Sequence, residues 1–475
     1  MTKQQLQRIL EFIQTIRQAQ SANLYADCQE GAIAVGEFIE EIAGEDTSTV
    51  SLLEEYCELL FQASNGEVGE KKLKQHLIKI ENSVRSELKP NRIEIAFLSH
   101  KASMSDSIES IYLAAKADPA CDAYWIPIPY FDRNPDGSFS EKHYEGAEIY
   151  ENIECTDWQQ YDIKTRRPDA IVTFAPYDSA NFVTSIHPDF YCEKLQSLTD
   201  CLVYVPYYVS SRPDYTAEHL ITLPGCAYAH KVFLQSEPIR ERYISVIKKQ
   251  FGNNFGKPED KFIALGSPKF DKVINTERDS GALPDDLAKL ADGRRIIFYN
   301  TSLGTMLKWD ELYLEKLRSV HTLFRERNDV LLWWRPHPLS EQALSSMRPG
   351  TVSEYKGIVK RYLSEGWGIY DDTADLHQAI AWSDAYYGDW SSVIALFGAV
   401  NKPVLVQGVE MVGRSEEEAP TYYVFEKEAE DLTKWLDDFG SVEPTVPFDE
   451  CSSYKYMDGT SGSEIYKYIM YNTRR

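Results

Sequence analysis

The sequence predicts an α/β protein in which two βα-alternating domains follow a helical N-terminal region. Three observations predict it. Apolar residues recur at helical spacing through residues 1–88. From residue 89 onward, short apolar runs alternate with amphipathic segments, which implies parallel sheets. That alternation stops at a polar, turn-rich stretch, residues 276–292, and then begins again, as at an interdomain linker. A chain of 475 residues also exceeds what one core normally supports.

In residues 1–88, Leu6, Ile9, Leu10, Ile13 and Ile16 form one apolar stripe. Leu52, Leu53, Tyr56, Leu59 and Leu60 form another, and Leu73, Leu77, Ile80, Val84 and Leu88 a third. "SNGEVGEKK" separates the last two. No catalytic constellation occurs here, so packing or self-association into a homo-oligomer is expected of it. In the first α/β domain, 89–275, strands are expected at "IEIAFL", "AYWIPI", "AIVTFA", "CLVYVPYYV", "KVFLQS" and "KFIALG". Helices are expected at "SDSIESIYLAAKAD" and "SEPIRERYISVIKKQFG". In the second, 293–475, strands are expected at "RIIFYN", "DVLLWWR", "WGIYD", "AYYG" and "PVLVQ". Its helices are 307–327, "SEQALSSM", "DLHQAIAWS" and "SVIALFGAV", with 425–437 and 462–472 as closing helices. Open α/β sheets bind ligands at the carboxyl ends of their strands. Two such sheets facing each other place a substrate cleft between them.

Composition narrows the function classes. The formal net charge of −24 repels nucleic acid and anionic lipid, so no nucleic-acid partner is expected. A phosphate substrate then needs a local positive or dipolar site. The cysteines are Cys28, Cys57, Cys121, Cys155, Cys192, Cys201, Cys226 and Cys451, with no C-x-x-C pair. No disulfide framework or metal site follows from them. The N-terminus lacks the apolar core of a signal peptide, and no run is long enough to span a bilayer. A cytoplasmic protein is expected.

Polar residues gather where strands of the second domain end. Asp389, Ser391 and Ser392 stand between "AYYG" and the helix after it. They read as a helix cap or, through their hydroxyls and the free N–H groups, as a phosphate cradle. In "WWRPHP" the flanking prolines force an extended exit that projects Arg335 and His337. Arginine suits bidentate phosphate contact and histidine moves protons, although a packed turn gives the same pattern. "FYNTSLGTM" supplies Asn300, Thr301 and Ser302. In the first domain, His187 of "VTSIHPDFY" is the candidate facing His337, with His100 of "FLSHKASMSDS" its competitor. No P-loop, G-x-G-x-x-G, G-x-S-x-G or H-E-x-x-H is present.

"FLQSEPIRERY", "FIALGSPKFDKV", "IIFYNTS", "WWRPHP" and "DAYYGDWSSVIALFGAVNKPVLV" occur in this order across roughly the C-terminal half. Together they resemble the CDP-glycerol glycerophosphotransferase family, the polymerases and primases of wall teichoic acid. The family's Asp-Tyr-Ser-Ser is similar to Asp389-Trp390-Ser391-Ser392, its Arg-x-His-Pro to Arg335-Pro336-His337-Pro338, and its Gly-x-Pro-x-x-Asp to Gly266–Asp271. The resemblance implies a GT-B-like fold of two Rossmann-like domains facing a cleft. Two departures accompany it. Where the family carries Trp-His-Gly, this chain has "VYVPYYVSS". Its Pro-Thr-Trp-Arg is here Asn300-Thr301-Ser302-Leu303.

The resemblance implies transfer of glycerol phosphate, or a similar polyol phosphate, from a CDP-activated donor to a hydroxyl of a cell-envelope glycan or lipid-linked precursor, with CMP released. Donor phosphates are assigned to Arg335, Asp389, Ser391, Ser392, Asn300, Thr301 and Ser302. Catalysis is assigned to His337, which offsets charge on departing CMP, and to His187 as base. No cofactor and no metal are expected. CDP-glycerol or a related CDP-polyol and a glycan or lipid-linked acceptor are the expected partners. Peripheral contact with the inner face of the plasma membrane is expected to be local, through the first helix with Lys3, Arg8 and Arg17, or through a partner protein. Two alternatives carry other predictions: a GT-B glycosyltransferase using a nucleotide sugar, and a non-catalytic nucleotide-binding relative.

Overall fold

The computed structural model describes residues 1–44, 46–134, 136–150, 153–210, 217–252, 257–278, 285–373, 376–406, 422–438 and 457–473. Ser211 of "VYVPYYVSS", residues 279–284 of the linker, Asp375 of "DLHQAIAWS", Gln407 of "PVLVQ" and Cys451 lie outside them.

Four helices, Lys3–Ser21, Tyr25–Ala43, Ser48–Ser64 and Glu70–Glu87, make the N-terminal region. Thr2 and Gln5 cap the first reciprocally, side chain to backbone. The three apolar stripes of the sequence meet in one core, where Ile13, Tyr56, Leu77 and Ile80 are buried. Helix Tyr25–Ala43 had no separate expectation; it adds Cys28, Ala32, Val35 and Ile39 to that core. The positive residues proposed for membrane contact are engaged inside the chain. Lys3 Nζ donates to Thr473 O at 2.8 Å, Arg8 to Thr165 O at 3.1 Å, and Arg17 pairs with Glu81 at 2.6 Å.

Six parallel strands form the first sheet: β1 Ile93–Ser99, β2 Cys121–Pro127, β5 Ala170–Thr173, β7 Cys201–Tyr204, β8 Lys231–Leu234 and β9 Phe262–Ala264. Their order is β2-β1-β5-β7-β8-β9. All six coincide with expected strands. They were legible because both faces are covered, so their apolar runs are nearly continuous. Strand β7 stops before Pro206, which has no N–H for a ladder. Between these strands lies an unexpected three-stranded antiparallel ribbon, order β4-β3-β6, made of β3 Tyr130–Arg133, β4 Phe139–His143 and β6 Thr184–Ile186.

The second sheet is also parallel, with order β12-β11-β10-β13-β14. Its strands are β10 Arg295–Thr301, β11 Val330–Pro336, β12 Ile369–Tyr370, β13 Ala385–Gly388 and β14 Val404–Val406. The helix expected at 307–327 starts earlier, at Leu303, and runs to Arg325 with a kink at Asp310. Helix Pro349–Glu365 was not anticipated; its opening Pro-Gly reads as a turn, yet proline fits the first turn of a helix. The linker contains helix Asp285–Ala291.

The chain's last helix, Ser461–Thr473, belongs to the first sheet's core rather than the second's. Ile465, Tyr466 and Ile469 pack there with Ile111, Tyr112 and Trp125. Helix Pro268–Asn275 anchors this return. Asp271 accepts the N–H groups of Ser461 (3.0 Å) and Gly462 (2.6 Å) and the hydroxyl of Ser110 (2.8 Å). The two parallel sheets, with a helical region before them, make an α/β fold of the GT-B-like kind.

Candidate active site between the two sheets

The carboxyl ends of the second sheet's central strands lie side by side. The N–H of Asp389 donates to Asn300 O at 3.1 Å, that of His337 to Thr301 O at 3.1 Å, and that of Asp371 to Trp334 O at 2.9 Å. Gly388 permits the first approach: its φ is +136°, and a Cβ there would overlap Asn300 O. Four stretches, 300–302, 335–337, 371–373 and 389–392, thus share one edge. Three were expected, and 371–373 was missed.

Asp389 faces inward. Its carboxylate accepts the N–H of Ser302 (2.7 Å) and the hydroxyl of Tyr313 (2.6 Å), and Lys316 Nζ lies 3.6 Å from it. Asp389 and Lys316 are each only 2% exposed at the side chain, so the carboxylate is a structural tie and not a phosphate contact. Thr301 is likewise buried and accepts from Trp334 Nε1 at 3.2 Å. Ser302 caps helix Leu303–Arg325 through its hydroxyl, which accepts the N–H of Thr305.

Ser391 and Ser392 stay on the outside of the edge. Ser391 Oγ accepts the N–H of Val393 at 3.2 Å, while Ser392 is exposed and its side chain caps nothing. The capping reading therefore accounts for one hydroxyl of the pair and leaves the other.

Arg335 is held rather than projected. Its guanidinium donates to Asp371 Oδ2 at 2.6 Å and to Thr373 O at 2.7 Å. Asp371 is fixed in turn by Trp333 Nε1 at 2.9 Å and the N–H of Thr373 at 3.0 Å. An arginine tied this way has a fixed orientation and only part of its fork left for a ligand. No sequence spacing pointed to Asp371, 36 residues away.

His337 is exposed, and its Nδ1 accepts the N–H of Leu339 at 3.1 Å. Desolvation lowers its pKa from the ordinary value. The neutral ring then carries its proton on Nε2, where it can donate. His187 has the same arrangement. Its Nδ1 accepts the N–H of Asp189 at 3.2 Å, and desolvation lowers its pKa. A ring with Nδ1 occupied as acceptor presents N–H at Nε2, the reverse of what a base at that atom needs. His187 also sits among Trp158, Phe131 and Phe190 in the ribbon, with centroids 5.5, 6.0 and 6.1 Å away.

His100 directly follows β1. Its ring stacks on Phe174 at 4.9 Å, its Nδ1 is buried with no hydrogen-bond partner, and burial pushes its pKa to about 3.

The two sheets' edges are joined by a buried cluster. Asp106, beyond β1, pairs with Lys269 at 2.5 Å and lies 2.9 Å from His377 Nε2, beyond β12. Burial alone would raise the Asp106 pKa, but Lys269 and His377 overcome it and hold it at about 2. Lys269 and Asp271 come from the same family-like stretch, Gly266–Asp271, so that motif is the joint between the halves.

The expectation of no metal site rested on spacing along the chain. In the ribbon, Asp132, Glu141 and His143 each bring a ligand atom within 4.8 Å of the others. The i, i+2 spacing of Glu141 and His143 was visible, but the cross-strand Asp132 was not. Among the described residues the seven cysteines are free thiols. Among the described residues no helix is long and apolar enough to cross a membrane.

Comparison with known proteins gave a family match and several solved structures. Curated protein sequences gave no match. A putative UDP-N-acetylglucosamine 2-epimerase from Listeria monocytogenes aligns at 13% identity over 80% of this chain and 96% of its own, with a TM-score of 0.48. The wall teichoic acid polymerase TagF, in a structure with CDPG, aligns at 15% identity over 90% and 98%, with a TM-score of 0.44. The UDP-GlcNAc 2-epimerase from Neisseria meningitidis aligns at 10% identity over 80% and 100%, with a TM-score of 0.47. The matching family model is that of CDP-glycerol:poly(glycerophosphate) glycerophosphotransferase, over residues 243–430. The resemblance carried by the motifs is thus met by the family model itself: across residues 243–430 this chain has the CDP-glycerol:poly(glycerophosphate) glycerophosphotransferase pattern.

Proposed function

We propose that the protein is a transferase that moves glycerol phosphate, or a similar polyol phosphate, from a CDP-activated donor to a hydroxyl of a cell-envelope glycan or lipid-linked precursor. One observation carries the reading: the stretches matching the family gather at one carboxyl edge, facing the other sheet across the Asp106–Lys269–His377 joint. The acceptor oxygen bonds to the β-phosphorus, the bond from that phosphorus to the CMP oxygen breaks, and the hydroxyl proton passes to a base. Catalysis of this kind is mostly positioning and charge stabilisation.

Ser391, Ser392 and the first-turn N–H groups of helix Leu303–Arg325 hold the diphosphate in this scheme. His337 donates from Nε2 to the departing CMP phosphate, and Arg335, oriented by Asp371, adds positive charge. The base comes from the first domain, where His187 and His100 are the alternatives. No cofactor is required. In this scheme the protein works in the cytoplasm and meets a lipid-linked acceptor at the membrane's inner face.

A thermal-shift series with CDP-glycerol, CDP-ribitol, UDP-sugars and CMP tests the reading, since a ligand stabilises the state it binds by mass action. Stabilisation by the CDP-polyols and CMP is expected. Stabilisation by UDP-sugars alone would replace the reading with a glycosyltransferase. Binding of CDP-glycerol without turnover on any acceptor would leave a nucleotide-binding relative.

A further inference from the structure

A cavity of about 280 Å³ opens on the outer face of the second domain, between helix Leu303–Arg325 and helix Pro349–Glu365. Both helices end here, just before β11 and β12 begin, so the cavity lies at the amino edge of the sheet. The proposed active site is at the carboxyl edge, about 20 Å away across a seven-residue strand.

Three features of the walls are unexplained by folding. First, the cavity is lined by Arg318, Arg325 and Arg361 against Glu354 and Glu365. Arg318 pairs with Glu354, and Arg325 reaches Glu365 at 3.5 Å. Both carboxylates are therefore matched, and Arg361 is the surplus cation. Second, His321 lines the same cavity, and its Nε2 is buried with no hydrogen-bond partner. Such an atom is costly to leave unmatched. Third, Gly357 sits within helix Pro349–Glu365, where glycine weakens a helix relative to alanine. A Cβ there would meet nothing within 4 Å, so the glycine keeps space open that packing does not need.

We propose that this cavity is a second ligand site, which takes a small phosphate ester. A phosphate on Arg361 and the neighbouring guanidinium forks would match the surplus charge, because arginine binds phosphate bidentately. The ester's body would lie against Trp367 and Tyr362. Burial pushes the His321 pKa to about 3, so the ring is neutral at pH 7 and the arginines carry the recognition.

The probes are glycerol 3-phosphate, CMP and inorganic phosphate, measured by calorimetry on the full chain. Two variants address this site. Arg361→Ala removes the surplus charge at an exposed position. Gly357→Leu fills the cavity while favouring the helix, so it leaves the fold intact. Ser391→Ala with Ser392→Ala is the control at the proposed active site. At least one ester is expected to bind the control as it binds the wild type, and to weaken tenfold or more in both cavity variants. Tighter binding of an ester than of inorganic phosphate shows that its body is read; CMP and glycerol 3-phosphate distinguish a nucleotide from a polyol source. Binding that falls only in the serine variant overturns this proposal and leaves the proposed function standing. No binding of any probe at millimolar concentration overturns it as well, and His321 Nε2 is then accounted for by the ring faces of Trp334 and Tyr362, 4.6 and 4.8 Å away.

Discussion

The backbone N–H of Ser302 donates to Asp389 Oδ2 over 2.7 Å, which ties the end of β10 to the end of β13. The same oxygen receives the Tyr313 hydroxyl, and Lys316 stands opposite the other oxygen. The aspartate of the family-like Asp-Trp-Ser-Ser stretch therefore shapes the edge from within. Asp389→Ala should lower stability by about 3–5 kcal/mol, the usual consequence of removing one member of a buried ion pair. Urea denaturation measures this. A variant as stable as the wild type but unable to bind the CDP donor would return Asp389 to the ligand.

Ser391 and Ser392 should behave differently. Neither is buried, and Ser392 caps nothing. Replacing both by alanine should weaken CDP-glycerol by about 1.5–3 kcal/mol, the worth of hydrogen bonds to a charged group. The urea midpoint should move little, because one cap bond from Ser391 is worth about 1 kcal/mol. Calorimetry showing unchanged donor affinity would leave these serines as helix-start residues only.

The histidines separate by what their Nδ1 atoms do. His337 has Nδ1 occupied and Nε2 free to donate at an exposed position, so His337→Ala should slow turnover roughly 100-fold with the fold preserved. His187 and His100 compete for the base. In His187 the ring donates rather than accepts at Nε2, whereas His100 directly follows β1 with Nδ1 unmatched. The expected order is a larger rate loss in His100→Gln than in His187→Gln, read as kcat under saturating donor. The reverse order would mean that the His187 turn rearranges when substrate binds.

How far the sequence carried follows from these particulars. The central strands of both sheets were legible because burial on two faces makes their apolar runs continuous, as in Ile93–Ser99 and Val330–Pro336. Strand β4 was not, since "FSEKH" lies mostly exposed and has no apolar run to detect. Helix Pro349–Glu365 hid behind its Pro-Gly start. At the site, the sequence found which stretches end at the edge but not which way each side chain turns. Asp389 is polar and next to serines, yet its partners Tyr313 and Lys316 lie far back in the chain on a helix. Arg335 was read as free although the strand "WGIYD" was expected, because nothing in the spacing pairs its last residue, Asp371, with the end of the neighbouring strand. Such pairings are set by tertiary contact, which spacing along one chain does not encode.

The Asp106–Lys269 pair gives a prediction in pH. Asp106 has a folded pKa of about 2, below the ordinary carboxylate value of about 3.9, so its ionised form is favoured by folding. That contribution is fully present above about pH 4 and is lost as pH falls through about 2. Asp106→Asn removes the titrating group. At pH 7 the variant should be less stable by about 3–5 kcal/mol, because Lys269 and His377 lose the charge between them. The gap between wild type and variant should stay level from pH 7 to 4 and narrow below that, measured by urea titrations at each pH. Parallel curves down to pH 2.5 would mean that Asp106 does not gain its ionisation from this pair. Because Asp106 and Lys269 come from the first domain and His377 from the second, the variant should also loosen the two halves. Small-angle scattering should then show a larger radius of gyration in Asp106→Asn than in the wild type at pH 7.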